Sequence, residues 1–199
     1  MAESPQIKTL SSFKSMLKGG GARPNLFEVT IPEFPSYVSK DSETLKDLTF
    51  LCKTANLPAS TIANIDVPFR GRILKVAGDR TFDPWSVTII NDEDFKLRNA
   101  FEQWMEQIAK LDNNLGATLP ESYMTNATVY QLGRGSTKSS TNSDGTNNAV
   151  LKEYEFVDIF PTSISAIDLS YDSSDTIEEF TVDFNVQSYR LTGAGGPNG

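Results

Sequence analysis

Apolar and polar residues alternate along several short segments of the chain, which is the period of a β-strand with one buried face. A segment near the C-terminus shows this most clearly, because Phe180, Val182, Phe184 and Val186 alternate with polar residues. Proline, glycine or polar residues close each such segment. The pattern predicts strands over residues 25–31, 48–54, 61–69, 72–78, 85–91, 125–132, 151–160, 162–171 and 176–190.

Two connections between these strands have turn chemistry. Arg70 and Gly71 separate two predicted strands and indicate a hairpin. The stretch VAGDRTFDPW, residues 76–85, predicts a second turn, in which Gly78 relieves the backbone and Pro84 fixes the entry into the next strand. Polar residues at 36–47 predict a loop.

One segment, from about residue 92 to residue 111, has the period of an amphipathic helix instead. Asn91 or Asp92 can cap it, and the acids that follow suit the positive end of the helix dipole. Packing against a core explains its tryptophan better than ligand binding does. The apolar face consists of Leu97, Phe101, Trp104, Met105, Ile108 and Leu111. With strands before and after this helix, the sequence predicts a mainly β fold, a barrel or sandwich of two packed antiparallel sheets with one flanking α-helix.

The chain divides into an N-terminal arm (1–21), one β domain (22–190) and a flexible C-terminal tail (191–199). The arm carries Phe13, Met16 and Leu17 at helical spacing, followed by three glycines that form a hinge. Such an arm is either disordered or docks on another surface, for example that of a neighbouring subunit. Within the domain, a loop is expected at 33–46 and a low-complexity surface loop at 134–150.

Charge and residue usage exclude several functions. The 199 residues carry a formal net charge of −8, which argues against binding nucleic acid through its phosphates. Histidine is absent, so the commonest general base and metal ligand is missing. The single cysteine, Cys52, excludes an internal disulfide; it is a reduced core thiol or a reactive nucleophile, and the apolar run around it favours the first. No apolar stretch is long enough for a membrane helix, and the N-terminal segment lacks the apolar run that a secretion signal needs.

Candidate chemistry finds little support. Residues 133–140 lack the spacing of a phosphate-binding loop, and residues 91–95 lack the ligand pattern of a calcium loop. The acids at 168–179 are typical of a tight turn, and no carboxylate pair is singled out as that of a glycosidase. We therefore expect no enzyme, no cofactor and no metal site.

Four stretches resemble the tail tube proteins of contractile-tailed, T4-like bacteriophages. They are ARPNLFEVTI (22–31), FLCKTANLPAST (50–61), KVAGDRTFDPWSVTIINDEDFKLRNAFEQW (75–104) and FPTSISAIDLSYDSSDTIEEFTVDF (160–184). They occur in the family's order and cover most of residues 22–189. The arm, the loops at 33–46 and 134–150 and the glycine-rich tail depart from the shorter family pattern.

This resemblance implies a structural β-barrel subunit without catalytic residues or cofactor. Family members form hexameric rings that stack into a tube, through which the genome passes into the host. The implied partners are other copies of the chain, the tail sheath, baseplate and tail terminator proteins, a tape-measure protein and, transiently, DNA in the lumen, with no stable nucleic-acid binding. The implied location is the virion tail, and the host cytoplasm during assembly. A tube protein of a type VI secretion-like or contractile bacteriocin machine is the alternative, and a carbohydrate-binding β-sandwich module is a remote one.

Two groups of residues are hypotheses for the assembly. Subunit or ring contacts are predicted at Arg23, Phe27, Asp79 and Arg80 and at the arm residues Phe13, Met16 and Leu17. The alternative for the Asp79–Arg80 pair is a local ion pair that fixes a turn. Glu179 and Asp183 are predicted to face the lumen, where negative charge would repel DNA; the alternative is that they solvate an outer face.

Overall fold

Two antiparallel sheets that share one long strand form the body of the molecule. The computed structural model describes residues 9–17, 21–35, 38, 42–134 and 150–192. In chain order the elements are α1 (Leu10–Met16), β1 (Phe27–Thr30), α2 (Ser42–Leu51), β2 (Cys52–Ala55), β3 (Ser60–Phe69), β4 (Arg72–Phe82), β5 (Trp85–Ile90), α3 (Lys96–Ile108), α4 (Pro120–Tyr123), β6 (Thr125–Leu132), β7 (Val150–Ile164), β8 (Glu179–Asn185) and β9 (Ser188–Thr192). The predicted mainly β fold is confirmed.

The shared strand is β7. Its first half lies between β6 and β9 in sheet A, whose order is β1, β6, β7, β9. Its second half pairs with β8 in sheet B, whose order is β7, β8, β5, β2. Where the halves meet, the register with β6 shifts and Asp158 has a left-handed φ of 54°. This bulge bends β7 from one sheet into the other.

An aromatic core fills the space between the sheets and beneath α3. The Trp85 ring stacks on Phe156 of sheet A at a centroid distance of 4.8 Å and lies 5.2 Å from Phe184 of sheet B. From α3, Phe101 and Trp104 enter the same core and are fully buried. The Trp104 indole N–H donates to the carbonyl of Tyr123 at 2.7 Å, so its polar atom is satisfied where it is buried.

Helix α3 is shorter than predicted. It begins at Lys96, after Phe95 in the left-handed conformation (φ 53°), and neither Asn91 nor Asp92 caps it. Leu97 is buried with the two aromatic residues, whereas Met105 and Ile108 are half-buried. Leu111 lies beyond the end of the helix with 92% of its surface exposed, so its assignment to the core face was wrong.

The chain turns back after α3 because Gly116 lies against the end of the helix. A Cβ at that position would be 1.9 Å from the Ile108 carbonyl oxygen, so a side chain does not fit there. The Ala117 N–H donates to the Gln107 carbonyl, and the Leu111 N–H donates to the Glu106 carboxylate. These contacts replace the next helical turn and carry residue 111 off the apolar face.

The strand predicted at 48–54 was wrong for residues 48–51, and the loop predicted at 36–47 was wrong for residues 42–47. Residues 42–51 form helix α2, and a strand begins only at Cys52. The helix turns Leu48 into the core, with Leu45 and Leu51 packed beside it, whereas Phe50 points outward. The three leucines are spaced for a helix, and their burial outweighs the strand preference of the residues between them.

The C-terminal strands also differ from the prediction. A single strand, β7, extends to Ile164, residues 165–178 form no strand, and the last predicted strand is divided into β8 and β9. Parts of the arm and of the loop predicted at 33–46, residues 135–149 of the insert and residues 193–199 of the tail lie outside the described residues. No helix in the described ranges is long and apolar enough to cross a membrane.

Truncating the α3 face should separate buried from exposed positions. We expect Phe101→Ala to lower the free energy of unfolding by about 3–5 kcal/mol, because it removes a fully buried ring. Leu111→Ala, the matched control, should change it by less than about 0.5 kcal/mol. Urea unfolding followed by circular dichroism would measure both. Equal losses would contradict the end of α3 at Ile108.

Candidate functional site

Strands β3 and β4 form a two-stranded hairpin that pairs with neither sheet. Arg70 and Gly71 connect them with φ values of 46° and 83°, the two left-handed residues of a tight hairpin turn. The hairpin extends the ribbon formed by β2 and β5: the Asp83 N–H donates to the Ala59 carbonyl where the two ribbons join. It therefore projects beyond the C-terminal end of β2 and the N-terminal end of β5.

The two faces of this hairpin differ in polarity. Cross-strand pairs share a face, so Ile65 lies beside Val76, and Val67 beside Leu74. The pair Asp66 and Lys75 occupies the opposite face with an ion pair of 3.4 Å. We define the hairpin apolar face as Ile65, Val67, Phe69, Leu74 and Val76. All five side chains are exposed, up to 66% at Phe69, although an uncovered two-stranded ribbon is only marginally stable in water.

The predicted turn at Gly78 was wrong. Gly78, Asp79 and Arg80 lie inside β4, and the chain turns only at residues 83–84. Ile62 pairs with Arg80 and Asn64 with Ala77, so Gly78 and Asp79 together oppose Ala63 in a bulge. A Cβ on Gly78 would lie 3.0 Å from the Ala63 carbonyl oxygen, so close strand contact explains this glycine.

Asp79 and Arg80 are exposed at the base of the hairpin. Within the described residues no ion pair joins them, and there is no turn for such a pair to fix. The local-pair alternative was therefore wrong. Their role in contacts between copies stays a prediction.

Sheet B has one core face and one polar face, and both predicted lumen acids lie on the polar one. The Asp183 carboxylate accepts hydrogen bonds from the hydroxyls of Ser86 and of Ser163, the latter at 2.8 Å. Glu179 forms an ion pair with Lys53 of β2. Hydroxyls of β5 and β8 also bond across the strands, so this face is a surface of hydroxyls and held carboxylates.

Both outer edges of sheet B are unpaired in the part of the chain that the structure describes. One is the outer edge of β2, and the other is the outer edge of the second half of β7 (160–164). These edges lie at opposite ends of the sheet, separated by β5 and β8. Unpaired edges offer backbone N–H and C=O groups to another chain.

The remaining predicted contact residues are dispersed. In the arm, α1 has a capping box between Thr9 and Ser12, and Phe13, Met16 and Leu17 are all exposed. Phe27 instead packs partly against the core. Arg23 is exposed, and its carbonyl accepts from the Gln131 side chain at 2.8 Å. Among the described residues, no hydrogen bond or ion pair joins any of them to Asp79 or Arg80.

An apolar groove that sequence reasoning missed lies between the end of α3 and the second half of β7. Its volume is about 740 Å³. Glu102 and Glu106 stand among its lining residues. We define the α3–β7 groove by its apolar side chains, which are Met105, Ile108, Leu111, Phe160, Pro161 and Ile164. In the sequence only the apolar residue Leu111 pointed to this groove, and the sequence analysis assigned that residue to the core face of the helix.

Comparison with known proteins identifies the family. The family model described as phage tail tube protein matches residues 22–192. The chain belongs to this family. It is 36% identical over 164 residues to the tail tube protein gp19 of Enterobacteria phage T4, covering 82% of this chain and 88% of that protein. It is 28% identical over 179 residues to the tail tube protein of Serratia phage KSP90, covering 89% and 93%.

Solved structures with the same fold include subunits of contractile injection systems. The cap that terminates the tube of the anti-feeding prophage matches with a TM-score of 0.58 and 13% identity, covering 96% of this chain and 97% of that one. A sheath-tube complex of an extracellular contractile injection system matches with a TM-score of 0.55 and 12% identity, covering 94% and 100%. The chain is thus a tail tube protein by sequence and has the tube-subunit fold.

Two features of this tail tube protein bear on its chemistry, namely its carboxylate groups and the Cys52 thiol. Among the described residues no group of three carboxylate or thiol side chains is placed to hold a metal ion. Cys52 is half-buried, and burial raises the pKa of its thiol from 9.0 to about 12. A neutral thiol is a poor nucleophile at physiological pH.

Cys52 should therefore label slowly in the folded protein. At pH 8 we expect the native thiol to react with DTNB at least about 100-fold more slowly than the urea-unfolded chain, in which the thiol is exposed and partly ionised. The pKa of this thiol is higher in the folded protein than in the unfolded chain. Its contribution to the free energy of unfolding is therefore complete below pH 9.0 and is lost as the pH rises toward about 12. Cys52→Ser is the control and should not react. Fast native labelling would revive the interpretation of Cys52 as a reactive nucleophile.

Proposed function

We propose that this tail tube protein forms hexameric rings by pairing the two open edges of sheet B, and that the rings stack into the conduit for the phage genome. The observation that carries the proposal is the make-up of sheet B: one face is buried in the core, the other is polar, and both edges are unpaired in the described structure. A sheet of this kind is suited to be one segment of a larger barrel wall.

Edge pairing of this kind joins unlike surfaces. The β2 edge of one copy meets the β7 edge of the next, so each copy uses both edges once. Head-to-tail contacts of this type either close into a ring or continue as a helix. Closure pairs both edges of every sheet B and so removes exposed strand edges that promote aggregation.

The polar face of sheet B would then line the bore. Glu179 and Asp183 would add negative charge there, and the hydroxyls of Ser86, Thr88 and Thr181 would make much of that wall polar. The net charge of −8 per copy has the same sign as the phosphates. Repulsion between like charges keeps passing DNA from binding to the wall.

The remaining surfaces would serve the other contacts. Arg23, Phe27, Asp79, Arg80 and the α1 side chains are proposed to contact neighbouring copies. A sheath, a baseplate, a tail terminator and a tape-measure protein are the proposed partners, and the role is non-enzymatic. We place the protein in the virion tail, and in the host cytoplasm during assembly.

The purified protein should assemble by itself or on a template. We expect electron microscopy at high concentration to show rings or hollow tubes. If only monomers appear, matching baseplates should nucleate tubes, because a template presents open edges. Monomers that persist with baseplates present would contradict the proposed function.

Reversing the charge at the base of the hairpin should weaken assembly. We expect Arg80→Glu to lower the yield of sedimenting tubes about tenfold, because it removes a cation from a contact between copies. Lys46→Glu, an exposed position on α2, makes the same charge change and should retain the yield. Circular dichroism would verify both folds. Normal tube yield from Arg80→Glu would remove this residue from the interface.

Neutralising the bore acids should slow DNA passage without blocking assembly. The pair Glu179→Gln and Asp183→Asn keeps side-chain size while lowering the negative charge, so we expect genome release to slow severalfold. Glu93→Gln with Glu121→Gln, exposed acids outside the polar face, is the charge-matched control. Dye fluorescence on released DNA would measure the rates. Equal release rates would place the two acids outside the bore.

A further inference from the structure

We propose that helix α1 of one copy docks in the α3–β7 groove of a second copy. The inference rests on the proposed function, because it needs copies that meet, and it deepens that function by giving the arm a receiving surface. The occupant that it assigns to the groove has a stated chemistry, namely a short cationic amphipathic helix.

Helix α1 is formed but uncovered. Every residue from Thr9 to Leu17 is exposed. A helix of seven residues is only marginally stable in water, because so few backbone hydrogen bonds do not offset the cost of nucleation. The capping box satisfies backbone groups at one end, but it covers no apolar side chain. A docking surface would supply the missing burial.

One face of α1 is apolar and has a basic edge. At about 100° per residue, Leu10, Phe13 and Leu17 point in one direction, and all three are exposed. Lys14 lies at the edge of that face, whereas Ser15 points away from it. The arm (1–21) has three lysines and one glutamate, so its formal charge of +2 contrasts with −10 for the rest of the chain. A cationic amphipathic helix is thus attached to an acidic protein.

The α3–β7 groove matches this helix in polarity and charge. Its apolar walls enclose about 740 Å³, and Glu102 and Glu106 stand beside them. The Glu106 carboxylate accepts the Leu111 N–H at 3.2 Å, and none of the ion pairs among the described residues includes it. A lysine at the edge of a seated apolar helix can therefore pair with Glu106.

The helix of the same chain does not occupy this groove. It lies beside the base of its own arm, where a Cβ added to Gly21 would be 3.6 Å from the Leu17 Cδ1 atom. That base is joined to sheet A, because the Gln131 side chain donates to the Arg23 carbonyl at 2.8 Å. The groove lies beyond the bulge, against residues 160–164 in the other half of β7. We therefore assign the groove to the helix of a second copy, a heterologous contact in which each copy gives one helix and receives another.

Binding of the arm in trans tests the contact without requiring tubes. The probe is a fluorescein-labelled peptide of residues 7–18, added to the full-length chain under dilute, monomeric conditions and followed by fluorescence anisotropy. We expect saturable binding that Phe13→Ala in the peptide weakens at least about tenfold, because it removes the aromatic ring of the docking face. The matched Ser15→Ala peptide, changed on the opposite face, should retain its affinity. Absence of binding, or equal affinity of all three peptides, would overturn the proposal.

An exposed residue of the groove tests the receiving surface. Leu111 lines the groove and is almost fully exposed, so Leu111→Ser should leave the core intact and weaken peptide binding at least about fivefold. The matched control is Leu119→Ser, an exposed leucine outside the lining of the groove, which should retain the affinity. Equal losses in the two variants would place the peptide on another surface and overturn the proposal.

A charge exchange tests how the helix is seated. We expect Glu106→Lys to weaken binding of the unmodified peptide about tenfold, and a Lys14→Glu peptide to recover most of the affinity for that variant. Circular dichroism would verify the fold of the Glu106→Lys chain. An exchanged pair that binds no better than either single change would contradict the seating of Lys14 beside Glu106.

Cross-linking tests the same contact in assembled tubes. In a Cys52→Ser background, Leu10→Cys and Leu111→Cys would be placed in one chain, and the tubes would be oxidised. We expect covalent oligomers, with at least about tenfold less product when Ser15→Cys replaces Leu10→Cys. A cross-link confined to single chains would assign the groove to the chain's own arm and overturn the proposal.

The contact and the proposed function fail in different ways. Tubes that form from the unmodified protein, without peptide binding or cross-link, would refute only the docking of α1. Peptide binding to a chain that forms no tubes on matching baseplates would support the docking contact and refute the proposed function.

Discussion

The bulge at Asp158 is the constraint on which the rest of the architecture depends. It lets one strand, β7, belong to both sheets, so that the sheets fold over a common aromatic core instead of forming one flat layer. The stack of Trp85, on sheet B, against Phe156, on sheet A, depends on that bend. The same bend turns the second half of β7 away from β6 and β9, which leaves its outer edge open within the described structure. The shared core and the open edge of β7 thus arise from a single backbone feature.

The spacing of apolar residues along the sequence was sufficient to predict a strand or helix where the segment buries one face. The alternation from Phe180 to Val186 led to β8, and the spacing of Leu97, Phe101 and Trp104 led to α3, because each pattern reports one buried side. It failed for residues 48–51, where an apolar run suggests a strand although leucine spacing and burial favour a helix. It also failed at Leu111, because the end of α3 depends on the close approach of Gly116, five residues further along the chain. Such contacts leave no periodic signal.

The candidate site was less accessible from the sequence than the fold. Residue types indicated an acidic, non-catalytic surface, and the family resemblance indicated a tube. The open edges, the amphipathic hairpin and the groove follow from topology, namely which strands end a sheet and which faces the pairing register brings together. Gly78 illustrates the difference, since a glycine between polar residues suggests a turn, whereas its neighbour Ala63 across the hairpin reveals a bulge.

Both tryptophans of the chain, Trp85 and Trp104, are completely enclosed by the aromatic core. Neither lies on the hairpin, on the polar face of sheet B or in the lining of the groove. Association through those surfaces leaves the indole surroundings as they are, whereas unfolding transfers both rings into water. Tryptophan fluorescence of this protein thus reports folding of the chain and does not change on polymerisation. Light scattering, which reports polymerisation, complements it. Together the two signals separate a variant that cannot fold from one that folds but remains a single subunit.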